Sequence, residues 1–245
     1  MRNALALLLS AAVLGGCSSP ASHNPNGIWI NQVAIDAAAQ GGNLREALLA
    51  YGPNLEWTID ATRRSAKVSN GFELDEGHLV DAPDGQWRID FYGDYHEQLN
   101  VENDQMRQAE SKTGPEQRFQ RSTLKLPLGA PAGSSFEQAL YTAYLGGTWK
   151  ITKGPGVKGL VLFHPDGQVE GLPGADRYAL CLAGDCAAMS GENDSLWLQL
   201  GNQGNVWLFK REGNRLEIFQ AVNQAQLDEM PEYLPGVTTW VLEKD

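Results

Sequence analysis

Positive charge is scarce in this chain: 19 Lys and Arg face 30 Asp and Glu, for a net charge of −11. Phosphate backbones are gripped by Lys and Arg, so an acidic body argues against nucleic acid as a partner and against electrostatic binding to anionic lipid. Histidine is scarcer still, with four in 245 residues, which is thin provision for metal or proton chemistry. No G-x-S-x-G, H-E-x-x-H or P-loop occurs, and no G-x-G-x-x-G opens an expected helix as a dinucleotide fingerprint does. The chain therefore reads as a non-enzyme with no cofactor and no metal. Beyond its opening residues it has no apolar run near the ~20 residues that cross a bilayer. Cysteine is limited to three positions, so each has to be accounted for.

The opening is the informative part. Met1-Arg2-Asn3 gives a weakly positive start, and residues 4–14 are apolar apart from Ser10. That run is as long as a signal-peptide core and too short to span a membrane. It ends in Leu14-Gly15-Gly16-Cys17, which closely resembles the lipobox of bacterial lipoproteins. The resemblance implies export, cleavage after residue 16, and lipid (diacylglyceryl and an acyl chain such as palmitate) on Cys17. Several acyl chains make a stable anchor where one is marginal. An ordinary signal peptide with Cys17 incidental is the weaker reading. Ser18 rather than Asp follows the cysteine, which in a Gram-negative cell implies the periplasmic side of the outer membrane. Removing residues 1–16 takes away Arg2, so the net charge passes from −11 to −12. Residues 17–26, rich in Ser, Asn and Pro, read as a polar tether with a solvated His23.

With Cys17 lipidated, Cys181 and Cys186 remain, separated by four residues that include Gly184-Asp185, a turn signal. Two strands joined there bring the thiols together, and in an oxidising compartment a disulfide is expected. A redox or metal pair is the weaker alternative, because those use tighter C-x-x-C spacing with further ligands nearby.

Aromatic residues are plentiful: seven Trp fit β-structure with large cores. Residues 33–40 and 44–51 read as short helices, the second capped by Asn43. From Leu55 the period changes to two. Leu55, Trp57 and Ile59 alternate with polar residues, as do Trp87, Ile89 and Phe91. Strands are expected at 27–30, 55–59, 66–69, 87–91, 98–101, 105–109 and 117–121, with turns at Asn70-Gly71, Glu76-Gly77 and Pro83-Asp84-Gly85. Residues 126–135 break the pattern as a Pro- and Gly-rich linker. A helix over 136–145 follows, with Ser134 and Glu137 at capping-box spacing. Strands are expected again at 148–152, 159–164, 178–182, 195–200, 206–210, 216–221 and 238–242. The predicted fold is mostly β, with two tandem small antiparallel barrel- or sandwich-like domains at 27–122 and 147–245, a linker and helix at 123–146, and a few short helices. Trp29, Trp57, Trp87, Trp149, Trp197 and Trp207 are expected in cores.

The halves echo one another. Gly27-Ile28-Trp29 matches Gly147-Thr148-Trp149, and Pro83-Asp84-Gly85-Gln86 matches Pro165-Asp166-Gly167-Gln168, although their spacing from the Trp differs. A duplication and a turn shared by chance are both open. A Gly-x-Trp on the first strand of an antiparallel barrel resembles the lipocalin-like (calycin) barrels. This implies a Trp plugging the closed end; the paired cysteines that tie barrel to tail in that family are not evident here.

The best chemical cluster is Asp94-Tyr95-His96-Glu97. On a strand, Asp94 and His96 share a side and Glu97 takes the other. An exposed polar strand after a turn is favoured over a metal site that would need a third ligand. His78 and His164 read as strand ends at turns, Asp75-Glu76 and Asp228-Glu229 as solvated acids, and Arg63-Arg64 as a solvated turn. The expected function is a non-enzymatic envelope binding module for a periplasmic partner or a small apolar ligand. The alternative is an inhibitor of a basic hydrolase such as lysozyme, or an envelope-stress sensor; this second class rests on fold-level analogy.

Overall fold

The computed structural model describes residues 23–244; the leader and Cys17 lie outside the described residues. The first meander rolls into a closed eight-stranded barrel. Its strands are β1 (Gly27–Ile30), β2 (Glu56–Asp60), β3 (Ser65–Ser69), β4 (Leu74–Asp81), β5 (Trp87–Asp90), β6 (His96–Glu102), β7 (Gln105–Gln108) and β8 (Gln117–Arg121). Each pairs antiparallel with the next, and β1 closes on β8 through Trp29↔Arg121 and Ile30↔Gln120. The inward positions supply a packed core that includes Trp57, Leu79, Leu99, Met106 and Phe119. β4 was not expected. Glu76-Gly77 lies inside it rather than at a turn, and His78 is mid-strand opposite Asp90. Glycine is required there because a Cβ at Gly77 would stand 2.6 Å from Ile89 Cγ2.

Two helices, α1 (Gln32–Ala39) and α2 (Leu44–Leu49), are inserted between β1 and β2, and α3 (Ser134–Tyr144) follows β8. Asn43 caps α2 as expected, accepting from Glu46 N at 2.9 Å. At α3 the expected Ser134–Glu137 capping box does not form. Gly133 is the N-cap, with no side-chain bond of its own, and a carboxylate from the barrel takes over: Glu56 Oε1 accepts from Gly133 N at 2.7 Å and Oε2 from Phe136 N at 2.8 Å. The buried faces of α1, α2 and α3 join Trp149, Phe163, Tyr178 and Trp240 in one continuous core. The helices thus sit between the end of the first barrel where Ile30 and Leu55 lie and the second sheet.

That second sheet holds β9 (Gly147–Lys153), β10 (Leu160–Phe163), β11 (Val169–Glu170), β12 (Arg177–Leu180), β13 (Asp194–Leu200), β14 (Gln203–Glu212), β15 (Arg215–Asn223) and β16 (Tyr233–Lys244). β9 pairs with β16, leaving β11 and β12 at the edges. These edges meet through the bridge Gln168↔Arg177 and the bond from Val169 N to Asp176 O at 2.9 Å. The strand ring therefore follows the same meander as the first. β11, two residues long, was too short to read from a period.

Both barrels open with one device. The Trp29 indole donates to Pro25 O and the Trp149 indole to Leu145 O, each at 2.7 Å. Both rings are fully buried. A cation from the last strand of each barrel lies over the ring: Arg121 Cζ is 4.0 Å from the Trp29 centroid and Lys244 Nζ 5.8 Å from that of Trp149. The same cations donate to Asn26 O and Gly146 O, the carbonyls just before each glycine. Gly27 (φ +128°) and Gly147 (φ +101°) hold a backbone conformation that side chains rarely adopt, and a Cβ there would meet Arg121 Nη1 or Lys244 Cε at 2.8 Å and push the cation aside. The Gly-x-Trp echo is therefore structural. The Pro-Asp-Gly echo is not: Pro83–Gly85 lies between β4 and β5, the other turn between β10 and β11.

Three further expectations are corrected. Trp197 is 43% exposed rather than core; its indole lies across Gly204, whose missing side chain leaves bare backbone on the outer face. Cys181 and Cys186 form the expected disulfide, but they do not join two strands. Cys186 sits in helix α4 (Gly184–Ser190), so the bond ties the end of β12 to a helix. Residues 23–26, expected as tether, run along the barrel end, with His23 Nδ1 2.9 Å from Val101 O and His23 O accepting from the Trp87 indole at 2.9 Å.

Candidate functional site

The Asp94–Glu97 cluster falls where β5 ends and β6 begins in the first barrel. The β5–β6 connection turns at Gly93 (φ +78°), which leaves Asp94 in the turn and starts β6 at His96. Along β6 the alternation sends His96 and Gln98 outward and Glu97, Leu99 and Val101 inward. Asp94 and His96 therefore do not form a ligand pair, and among the described residues no group of three His, Cys, Asp or Glu could hold a metal ion. Glu97, expected on an exposed strand, is only 1% exposed.

Its carboxylate is lopsided. Oε1 accepts from Tyr95 Oη, from Ser111 Oγ at 3.0 Å and from Thr113 Oγ1 at 3.0 Å. The three hydroxyls also touch one another, Thr113 Oγ1 lying 2.9 Å from Tyr95 Oη and 2.8 Å from Ser111 Oγ. Oε2 is buried and has no hydrogen-bond partner. Tyr95 stacks on Phe91 with centroids 5.1 Å apart, and Phe91 leans on Trp57 at 6.2 Å. Burial, then the bond to Glu97, pushes the Tyr95 hydroxyl up to about 12. Deeper in, Gln108 Oε1 accepts from the Trp57 indole at 3.1 Å and from Asn54 Nδ2 at 3.0 Å. A cleft of about 490 Å³ runs beside Glu97, between the start of β6 and residues 109–112.

The contrast with the other buried carboxylates decides what Glu97 is. Glu56 and Asp194 are 1% and 4% exposed. Both oxygens of Glu56 are taken by backbone N–H groups of the α3 N-terminus, as described above. Asp194 accepts from Leu44 N at 2.5 Å and Arg45 N at 3.2 Å, at the start of α2. Arg45 Nε lies 3.7 Å away. Burial raises the Asp194 carboxyl above its ordinary value despite these bonds. Both acids hold helices in place. Glu97 caps no helix and leaves one oxygen open. A buried acceptor left without a donor costs roughly 1–3 kcal/mol, and Glu97 Oε2 is in that state.

The remaining sequence candidates are spread over the surface. His164 Nε2 is 3.1 Å from Glu170 Oε1 at the β10–β11 turn. Asp75-Glu76 lies in β4, where Glu76 pairs with Lys67 at 3.3 Å. Arg63 and Arg64 pair with Asp60 and Asp81 at 3.3 and 2.6 Å, as a solvated turn. Asp228-Glu229 lies in the β15–β16 connection. Buried Arg211 was missed by sequence reasoning. It lies over Tyr144 at 4.6 Å and donates to Ala39 O at 3.2 Å and Gly213 O at 2.9 Å, capping the C-terminus of α1. Burial lowers its pKa.

No family model, curated protein or solved structure matches this chain.

Proposed function

We propose that the chain is a binding module held at the cell envelope by lipid on Cys17, facing the periplasm from the outer membrane, and that it takes its ligand at the Glu97 end of the first barrel. The observation that carries the reading is Glu97 Oε2, buried without a partner beside a cleft of about 490 Å³. A ligand bearing an N–H or O–H donor completes that carboxylate. The expected small apolar ligand has less support, since large side chains from Trp57 and Phe119 in one barrel and Trp149 and Trp240 in the other fill the interiors. No catalytic step is part of the proposal.

A partner-protein reading has one observation of its own. The β15–β16 connection carries Leu227, 91% exposed, and Met230, 61% exposed, beside Asp228, Glu229 and Glu232. An apolar tip with acidic flanks suits a basic partner, the chemistry that an inhibitor of a basic hydrolase would use.

Native mass spectrometry of the chain extracted gently from its own envelope separates these readings. An adduct of one small fixed mass, present on the native chain and lost with Glu97→Gln, supports the ligand site. A bare chain in both cases overturns it. A co-purifying protein released by salt or by Leu227→Asp moves the assignment to the hairpin tip. The intact mass also reads out the anchor: a chain that keeps residues 1–16 overturns lipidation at Cys17.

A further inference from the structure

We infer that the group accepted at the Glu97 end is a primary alkylammonium, either a small amine or a lysine side chain; this rests on the binding site proposed above and adds the chemistry of its ligand. The site lacks two things at once. Oε2 lacks a hydrogen-bond donor, and the carboxylate lacks a counter-charge: its three partners, Tyr95, Ser111 and Thr113, are all neutral hydroxyls. A neutral alcohol would supply only the donor, and a metal ion would want more carboxylate or imidazole oxygens and nitrogens than the described residues bring together. An ammonium supplies donor and charge in one group, and a charge-assisted bond is about twice as strong as a neutral one.

The walls agree with a cation. Asp94 and Glu110 line the cleft with Glu97, against Lys112 and the His96 imidazole. The open oxygen shows that Lys112 does not itself fill the place. The alkyl part of an amine also has an apolar surface to rest on, because Tyr95 and Ala109 line the same cleft.

The test titrates n-butylammonium chloride into the full chain in detergent micelles, with n-butanol as the neutral isostere, and follows backbone amides by NMR. The expected result is saturable binding of butylammonium that shifts the amides of Glu97, Ser111 and Thr113 and weakens with added salt. Glu97→Gln should weaken it about tenfold or more, the worth of one charge-assisted hydrogen bond. Lys112→Gln removes a like charge from the wall of the cleft and should tighten butylammonium while leaving butanol unchanged; this keeps the test decisive if Glu97→Gln fails to fold. If butanol binds as tightly as butylammonium with the same dependence on Glu97, the amine assignment is overturned and the binding site stands. If neither probe shifts these amides, both fall. Butylammonium binding that weakens in Lys112→Gln overturns the charge complementarity given to the cleft.

Discussion

Replacing Glu56 is the sharpest test of how the first barrel holds the helix layer. The carboxylate sits on β2 and is 1% exposed, yet its main partners, Gly133 N and Phe136 N, are 77 and 80 residues away in sequence. Thr58 Oγ1 adds a third bond at 3.1 Å. Glu56→Ala removes an N-cap, which costs about 0.5–2 kcal/mol. It also strands two buried N–H groups, each costing roughly 1–3 kcal/mol, and these effects overlap because the cap is those two bonds. A loss of about 3–4 kcal/mol is expected. Glu56→Gln keeps one acceptor and gives up the favourable charge at the helix N-terminus, so it should lose about 1–2 kcal/mol. Chemical denaturation followed by Trp fluorescence, with amide exchange of α3 as a local readout, measures both. Exchange should quicken first in residues 134–137. If Glu56→Ala changes stability by less than about 0.5 kcal/mol, the scale of an ordinary surface substitution, the carboxylate does not hold α3 as described.

Three other perturbations read other parts of the structure. Arg121→Ala should cost about 2–3 kcal/mol and Lys244→Ala about 1 kcal/mol, because Arg121 adds bonds to Asn24 O at 3.0 Å and Asp104 Oδ1 at 3.0 Å to its place over Trp29; equal losses in thermal melts would refute the ranking. Burial, and then the charge of Glu56, raise the Glu137 carboxyl above its ordinary value. The unfolded chain therefore ionises first, so Glu137 withdraws stability as pH rises from 4.5 to its folded pKa; Glu137→Gln should flatten that decline, and melts from pH 4 to 7 with identical slopes for both chains would contradict it. Reducing Cys181–Cys186 should cost about 2 kcal/mol, since the loop is short. The loss should appear as faster exchange in residues 184–190 and at Arg45, whose guanidinium is held by Ala187 O at 3.1 Å and Asn193 O at 2.7 Å. Unchanged exchange after reduction would show that the bond does not steady α4.

Period-two alternation made most strands legible, because one buried face leaves its mark on every second residue. β4 was hidden by its own composition: Leu74-Asp75-Glu76-Gly77-His78 offers turn residues where the barrel needs only a slot for Ile89. α4 was hidden by Gly184-Asp185, which reads as a turn although Ala187, Ala188 and Met189 can carry a helix. Trp197 was misassigned by residue type; its neighbours Leu196 and Leu198 point inward, so alternation alone puts Trp197 outside. The same rule applied to Leu99 and Val101 would have placed Glu97 inside the first barrel. No local signal exists for Glu56 or Asp194, because their partners are fixed by packing between segments as much as 150 residues apart.

The carboxylate at position 97 also poses a question about chemical economy. Tyr95, Ser111 and Thr113 need an acceptor, and all three find it in a single oxygen, Oε1. A glutamine would present the same carbonyl acceptor and carry no charge into the barrel. Its amide nitrogen would, however, put a donor where Oε2 now stands open. A second acceptor is thus what the acid adds over the amide, along with a negative charge. In Glu56 and Asp194 that same pair of properties is used up on helix N-termini. At the Glu97 end it lies beside a cleft whose walls carry Asp94 and Glu110. A purely structural acceptor needs neither the charge nor the open oxygen; a site for a cationic donor needs both.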